Sequence, residues 1–86
     1  MSKITFAVDA WEQYTFWLYL QDIKTIKKIN TLLKEIQTTP YKGKGRPEPI
    51  FDGHWSRRIN TKDRLVYDVI GDEIVVLQCK GYYSAK

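Results

Sequence analysis

Residues 54–79 read HWSRRINTKDRLVYDVIGDEIVVLQC, and this stretch decides the fold. Three segments have the alternation and the β-branched and aromatic content of strands: 54–59, 64–70 and 74–79. The two stretches between them, 60–63 and 71–73, are rich in Asn, Asp and Gly and are typical of turns. Strands that are joined by short turns pair antiparallel, so this part of the chain predicts a three-stranded meander.

The chain before the meander begins with a strand. In residues 3–8 apolar side chains alternate with others, which is the period of a half-buried strand. Asp9, followed three residues later by Glu12, has the spacing of a capping box. The pattern predicts a first helix that starts at Ala10.

The first helix is unusually rich in aromatic residues. Its apolar stripe comprises Trp11, Tyr14, Trp17 and Leu18, widened by Phe16, Tyr19 and Leu20. Core packing is the expected use of most of these aromatics, because their spacing follows one helix face. A platform on which RNA bases stack is the alternative.

A second helix follows, with Asp22 as its predicted N-cap. Its predicted buried stripe is Ile23, Ile26, Ile29, Leu33 and Ile36, and its outward face carries Lys24, Lys27, Lys28, Thr31 and Lys34. The helix must end before Pro40, because the residue that precedes a proline is disfavoured in helical geometry. The lysines are interpreted as a solvated face, with ligand contact as the alternative.

These elements predict an α+β fold in a single domain that spans residues 1–86, since a chain of this length fills only one core. An N-terminal strand and two antiparallel helices should pack on one face of a twisted antiparallel sheet. Residues 40–49 hold all three prolines and two of the five glycines, and they predict an irregular loop between the helices and the meander.

Charge and cysteine content limit the classes of function. Fourteen Lys and Arg against ten Asp and Glu leave a net charge of +4, which favours nucleic acid or an acidic protein as partner. Cys79 is the single cysteine, and no Cys and His residues have the spacing of metal ligands. We therefore expect a cytoplasmic protein without metal or cofactor. The N-terminus has no signal-peptide pattern, so we expect neither secretion nor membrane spanning.

A stiff carboxylate among basic groups is the first candidate for chemistry. Glu48 lies between Pro47 and Pro49, which hold its backbone extended, and Lys44 and Arg46 precede it. A carboxylate held in this way can act as a general base. The plainer interpretation, an exposed loop glutamate, stays open at this point.

Three arginines and two tyrosines are the other candidates. Arg57, Arg58 and Arg64 lie on adjacent predicted strands, where an exposed sheet face can bind phosphates. A three-residue turn between the strands would put Arg58 on the face of Arg64, whereas a two-residue turn would put Arg57 there. The sequence leaves this register open. Tyr82 and Tyr83 follow the last strand and could stack on bases, transfer protons or pack.

Several segments together resemble a known family, the YoeB/Txe toxins of the RelE superfamily. They are KKIN at 27–30, TP at 39–40, GKGRPEP at 43–49, WSRRI at 55–59, RLVY at 64–67 and the tyrosine near the end of the chain. The resemblance covers nearly the whole chain in the right order. It implies a RelE-like, microbial RNase-like fold. It also implies a toxin that acts as a ribosome-dependent, metal-free endoribonuclease, cutting mRNA in the ribosomal A site and inhibiting translation.

In the mechanism that this resemblance implies, a ribose 2′-oxygen attacks the adjacent phosphate and leaves a 2′,3′-cyclic phosphate and a 5′-hydroxyl. By motif, Glu48 matches the general base, Arg64 with Arg58 the phosphate-binding arginines, and Tyr83 the C-terminal tyrosine. The candidate catalytic residues are Glu48, Arg64, Tyr82 and Tyr83, and the candidate RNA-binding residues are Arg57, Arg58, Lys44 and Arg46.

Two departures from the family pattern accompany the resemblance. Tyr82 stands where the family normally has its catalytic histidine. The stretch 50–54 is shorter than is usual in the family. His54, the only histidine of the chain, occupies a position that the family fills with an aromatic or other non-catalytic residue, so it is not assigned as the missing acid.

The resemblance also implies partners. They are a YefM-like antitoxin whose acidic tail wraps the toxin, the ribosome with its mRNA, and operator DNA that is reached only through the antitoxin. A homodimer is left open. Because Tyr82 replaces the histidine, a catalytically weakened member that serves mainly as antitoxin-binding partner in a repressor complex is the alternative function. An unrelated basic RNA-binding module is the third interpretation.

Overall fold

The computed structural model describes residues 2–82, in which two helices pack on one face of a five-stranded sheet. The elements are β1 (Lys3–Phe6), α1 (Val8–Tyr19), α2 (Ile23–Thr38), β2 (Glu48–Pro49), a 3₁₀ turn (Phe51–Gly53), β3 (Trp55–Arg58), β4 (Arg64–Ile70) and β5 (Glu73–Gln78). The strand order across the sheet is β1-β5-β4-β3-β2. The predicted α+β class is confirmed.

The sheet is mixed, although an antiparallel one was predicted. β3, β4 and β5 form the expected antiparallel meander, and β2 pairs antiparallel with β3. β1, however, lies beside β5 and runs parallel to it. Two helices and a long loop separate β1 from the meander, so no short turn fixes its direction as the turns within the meander do.

The start of α1 differs from the prediction. The helix begins at Val8 rather than Ala10, and Ala7 is its N-cap residue without any side-chain cap. Asp9 lies within the first turn, so the predicted capping box is wrong. The backbone N–H of Ala7 donates to the carbonyl of Val76 (2.9 Å), which shows that pairing with the sheet sets where strand ends and helix begins.

The predicted start of α2 is confirmed. The side chain of Asp22 accepts a hydrogen bond from the backbone N–H of Thr25 (3.1 Å), and the helix ends at Thr38, before Pro40. Within the predicted stripe, Ile23 is 55% exposed. The buried residues of this helix are Thr25, Ile29, Leu32, Leu33 and Ile36.

The core lies between the helices and the inner face of the sheet. Its buried members are Ala10, Trp17, Ile29, Leu32, Leu33, Ile36, Ile59, Leu65, Tyr67, Ile74, Val76 and Cys79. The indole N–H of Trp17 donates to the carbonyl of Cys79 (2.9 Å), and Tyr14 packs against the same core. Core packing was predicted for most aromatics of α1, and this is wrong for three of the five, since Trp11, Phe16 and Tyr19 are 51%, 40% and 84% exposed. Among the helices of residues 2–82, none has both the length and the apolar character of a membrane span.

Candidate active site

The sheet face that points away from the helices is the candidate site, and we name it the open face. Successive side chains of a strand point to opposite faces, so the pairs Glu48↔Ser56, Ser56↔Val66 and Arg58↔Arg64 fix its members. Glu48 of β2 lies on the open face. β3 contributes Ser56 and Arg58, and His54 directly precedes this strand. β4 contributes Arg64, Val66 and Asp68.

The turn between β3 and β4 settles the register that the sequence left open. The side-chain oxygen of Asn60 accepts two backbone N–H groups within the turn (2.7 and 2.8 Å), which closes it as an Asx turn. The strands then pair Arg58 directly with Arg64. Arg58 therefore shares the open face with Arg64, and Arg57 points toward the helices.

Arg57 is fully buried, and its guanidinium is engaged inside the protein. Nη1 donates to Oε1 of Glu35 (2.6 Å), and Nε donates to the hydroxyl of Tyr67 (3.2 Å). Further acceptors are the backbone carbonyls of Thr39 (2.6 Å), Lys42 (2.8 Å) and Lys44 (3.1 Å). These contacts correct the expectation that Arg57 binds RNA: in this fold it anchors the loop that leads to Glu48.

Glu35 is the second half of this anchor. Its carboxylate accepts the backbone N–H of Lys44 (2.5 Å) as well as Arg57. The pKa of Glu35 is lowered from 4.5, first by the Lys44 hydrogen bond and then by Arg57, which together outweigh the opposing effect of burial. The ion pair and the loop carbonyls thus hold the loop through one network.

Two glycines of the GKGRPEP segment allow the loop to lie against this network. Gly43 and Gly45 have φ values of 118° and 80°, in the left-handed region that favours glycine. A Cβ on Gly43 would collide with the carboxylate of Glu35, and one on Gly45 would lie 2.9 Å from the carbonyl oxygen of Arg58. The glycines are therefore required by packing, and they bring the loop to the edge of the sheet where β2 begins.

Glu48 lies in the short edge strand β2, opposite Ser56 of β3. Its side chain is exposed on the open face. Arg58 is the diagonal neighbour of Glu48 on that face, and such neighbours lie about 7–8 Å apart, within reach of long side chains. The fold therefore brings together the carboxylate and the two arginines that the motifs singled out.

Arg64 is held against an aromatic ring. The carbon of its guanidinium lies 5.4 Å from the centre of the Tyr82 ring. Nε and Nη1 of Arg64 are buried and have no hydrogen-bond partner among residues 2–82. Buried donors without a partner are rare in folded proteins and point to a ligand or a catalytic role.

Tyr82, the last described residue, is held in place by contacts with the β3–β4 turn and the start of β4. Its hydroxyl donates to the carbonyl of Thr61 (2.9 Å) in the β3–β4 turn. The preceding Gly81 is tied to the start of β4, since its carbonyl accepts the N–H of Arg64 (2.9 Å) and its N–H donates to Asp63 (2.7 Å). These contacts place the ring of Tyr82 beside Arg64, while its hydroxyl is used by the turn.

The remaining predicted site residues are less defined by contacts. The side chains of Lys44 and Arg46 are exposed on the loop before Glu48, and Arg46 has a left-handed φ of 52°. Tyr83 lies outside the described residues. The predicted roles of Lys44, Arg46 and Tyr83 stay predictions.

The structure also shows a pair that the sequence analysis missed. Nδ1 of His54 lies 2.5 Å from Oδ1 of Asp68, and the two side chains are 34% and 26% exposed. Trp55 of β3 pairs with Tyr67 of β4, and both side chains point toward the helices. His54, which precedes Trp55, and Asp68, which follows Tyr67, therefore meet on the open face. Once the pairing of β3 with β4 is known, the alternation of side chains along each strand is enough to predict this contact.

The open face therefore combines a carboxylate, two guanidinium groups and a histidine paired with an aspartate. Such groups can accept a proton, bind a phosphate and donate a proton. In the part of the chain that the structure describes, no three His, Cys, Asp or Glu side chains are arranged to hold a metal ion. The side chains of the open face are suited to binding a phosphate and to transferring protons.

Comparison with known proteins identifies the family. A sequence model of the YoeB-like toxin of bacterial type II toxin-antitoxin systems matches residues 6–83. The chain belongs to the YoeB toxin family. The resemblance that the motifs indicated is thereby confirmed.

Relatives of the YoeB family match over nearly their whole length. Toxin YoeB of Mycobacterium bovis is 43% identical, and the match covers 96% of this chain and 100% of that protein. The YoeB dimer from Staphylococcus aureus has a TM-score of 0.85 and 40% identity, with coverage of 95% and 98%. The heterotetrameric YoeB-YefM complex from the same organism has a TM-score of 0.85 and 40% identity, with coverage of 96% and 99%.

Proposed function

We propose that this YoeB family toxin is a ribosome-dependent endoribonuclease that cleaves mRNA in the A site, with the open face as its active site. One observation supports this most strongly. Arg64, with two buried guanidinium nitrogens that lack a partner among residues 2–82, lies opposite Arg58 on the face that carries Glu48. A phosphate bound by the two arginines would satisfy these donors and lie beside a carboxylate.

In the proposed reaction, the carboxylate of Glu48 takes the proton of a ribose 2′-hydroxyl. The 2′-oxygen attacks the adjacent phosphorus, and Arg58 and Arg64 bind the phosphoryl oxygens where negative charge develops. The bond from phosphorus to the 5′-oxygen breaks and leaves a 2′,3′-cyclic phosphate. Tyr82 contributes as a positioning residue, because its ring fixes Arg64.

The assignment is tested by single-turnover cleavage of mRNA on programmed ribosomes. Glu48→Gln should lower the rate by about 10² to 10⁴ and Arg64→Ala by about 10² to 10³, because they remove a general base and a charged stabiliser. Glu12→Gln, on the exposed surface of α1, is the matched control and should cleave at the parental rate. Full-rate cleavage by folded Glu48→Gln and Arg64→Ala proteins would overturn the assignment.

The proposed partner is a YefM-type antitoxin whose acidic segment covers the open face. The S. aureus relative forms a complex with YefM, and the net charge of +4 here suits an acidic segment. Alanine at Arg58 and Arg64 should weaken antitoxin binding and reduce its salt dependence. If both stay unchanged, the antitoxin docks elsewhere, for instance in the groove that Lys24, Lys27 and Lys28 line beside the β3–β4 turn.

The alternative function, a weakened member that serves mainly as antitoxin partner in a repressor complex, rests on Tyr82. Its hydroxyl is bonded to a backbone carbonyl and stands where the family normally has a histidine. Induced expression separates the two functions, since growth arrest that requires Glu48 supports the nuclease. Sedimentation of the free protein tests whether it forms a dimer like its S. aureus relative.

A further inference from the structure

We propose that His54, oriented by Asp68, is a further catalytic residue of this toxin and protonates the 5′-oxygen that leaves during cleavage. This inference rests on the proposed nuclease function and deepens it. It assigns a proton donor to the reaction, because the position where the family resemblance places a histidine is occupied by Tyr82.

The geometry of the pair suits a proton donor. With Nδ1 of His54 2.5 Å from Oδ1 of Asp68, the ring is held in one orientation and Nδ1 is committed to that bond. Nε2 is then the nitrogen that can hand over a proton. A carboxylate that bonds one imidazole nitrogen fixes the ring and stabilises the positive charge it carries before donating.

The pair also lies at the right place on the sheet. Glu48 faces Ser56, and His54 and Arg58 lie two residues to either side of Ser56 on the same face. Glu48 and His54 are therefore diagonal neighbours, about 7–8 Å apart. In phosphoryl transfer the attacking and leaving oxygens lie roughly in line on opposite sides of phosphorus, so a base and an acid must flank the phosphate.

The centre of this arrangement has short side chains. Ser56 and Val66 pair across β3 and β4, with the two arginines at one end of the open face and the His54–Asp68 pair at the other. Ser56 and Val66 are only 1% and 5% exposed, so a phosphate would lie over the larger side chains around them, with Glu48 at its side and the arginines and the His54–Asp68 pair at its two ends. Tyr82 is at the arginine end, with its hydroxyl bonded to Thr61.

The proton balance of the step closes without a co-reactant. As the 2′-oxygen bonds to phosphorus, its proton passes to Glu48. As the bond to the 5′-oxygen breaks, the proton on Nε2 of His54 passes to that oxygen and forms the 5′-hydroxyl. His54 ends neutral and Glu48 protonated, and exchange with water restores both.

The experiment changes the leaving group. Programmed ribosomes carry an mRNA with either the natural oxygen or a bridging sulfur at the 5′ position of the scissile linkage, and single-turnover rates are measured. A thiolate leaves without needing a proton, because thiols are much stronger acids than alcohols. His54→Gln should lower the rate on the oxygen linkage by about 10² to 10⁴, and on the sulfur linkage by less than about tenfold.

Three further variants guard against a purely structural effect. Asp68→Asn should show the same pattern with a smaller loss on the oxygen linkage, because it disturbs the orientation of His54 but leaves the imidazole. Asp52→Asn removes a neighbouring exposed carboxylate at a position with a left-handed φ of 61°, which asparagine tolerates, and should leave both rates unchanged. Glu48→Gln should slow both linkages.

The outcomes separate the two levels of the proposal. Parental rates for His54→Gln on the oxygen linkage, or equal losses on both linkages, would overturn the role of His54 while leaving the nuclease intact. Failure of the parent protein to cleave either linkage would overturn the proposed function, and the role of His54 with it.

Discussion

The neighbouring arginines of the WSRRI segment should respond to mutation in opposite ways. Arg57→Met keeps the length and apolar stem of the side chain but removes the charge, so its effect reports the buried polar network rather than a cavity. Arg58→Met is the matched control on the adjacent, exposed position of the same strand. We expect the first to cost stability and the second to cost activity.

The magnitude follows from the contacts of Arg57. It is fully buried, and it pairs with Glu35 and with three loop carbonyls. Glu35 is 25% exposed and can be solvated once Arg57 is gone, so the cost is that of lost buried hydrogen bonds, about 1–3 kcal/mol. The loop carbonyls can turn to water once they are released, so we add nothing for them. A domain of this size has a total stability of about 4–13 kcal/mol, and the loss is therefore a large fraction of it.

Urea and thermal unfolding followed by circular dichroism measure the effect. Arg57→Met should lower the free energy of unfolding by about 1–3 kcal/mol, which is about 4–24 °C in melting temperature for a domain of this size. Arg58→Met should stay within about 0.5 kcal/mol of the parent. If Arg57→Met also stayed within about 0.5 kcal/mol, the network would not anchor the loop and the structural role given to Arg57 would be wrong.

Three further predictions follow from the ionisable and aromatic groups. Because the folded state lowers the pKa of Glu35 from 4.5, its contribution to stability is present above that pH and is lost as the pH falls through the lower folded value. Stability curves of the parent and Glu35→Gln should therefore converge at acid pH, and a constant difference down to about pH 3 would contradict this. Burial raises the pKa of Cys79 from 9.0 to about 12. The thiol of the folded protein should therefore react with Ellman's reagent no faster than the protein unfolds. A rapid reaction in the native state would refute the burial of this thiol. Tyr82→Phe should keep the cleavage rate, whereas Tyr82→Leu should lower it by about 2- to 30-fold through loss of the ring beside Arg64; equal losses would show that the hydroxyl matters.

Local chemistry explains which parts of the fold the sequence predicts. The turns of the meander and the Asp22 cap of α2 depend on residues within a few positions, and both are seen in the structure. The start of α1 depends instead on the bond from Ala7 to Val76 of β5, and the parallel placement of β1 depends on the same distant strand. Neither the start of α1 nor the parallel placement of β1 can be predicted from the residues next to it in the sequence.

The candidate site was predictable in composition but not in arrangement. The motifs single out Glu48 and Arg64, and these lie on one face. Whether Arg57 or Arg58 joins them depends on the length of one turn, which the bonds of the Asn60 side chain fix. The pairing of His54 with Asp68 follows from that register, so it could not be seen until the strands were aligned.

The most direct test of the account is a single 2′-deoxy substitution in the mRNA at the nucleotide 5′ to the scissile phosphate. In the proposed reaction Glu48 deprotonates that 2′-hydroxyl, and Arg58 and Arg64 bind the adjacent phosphate. On programmed ribosomes the parent protein should cleave the all-ribose mRNA to a 2′,3′-cyclic phosphate and a 5′-hydroxyl, and should not cleave the substituted linkage. Cleavage of the 2′-deoxy linkage at the same rate would contradict the central claim.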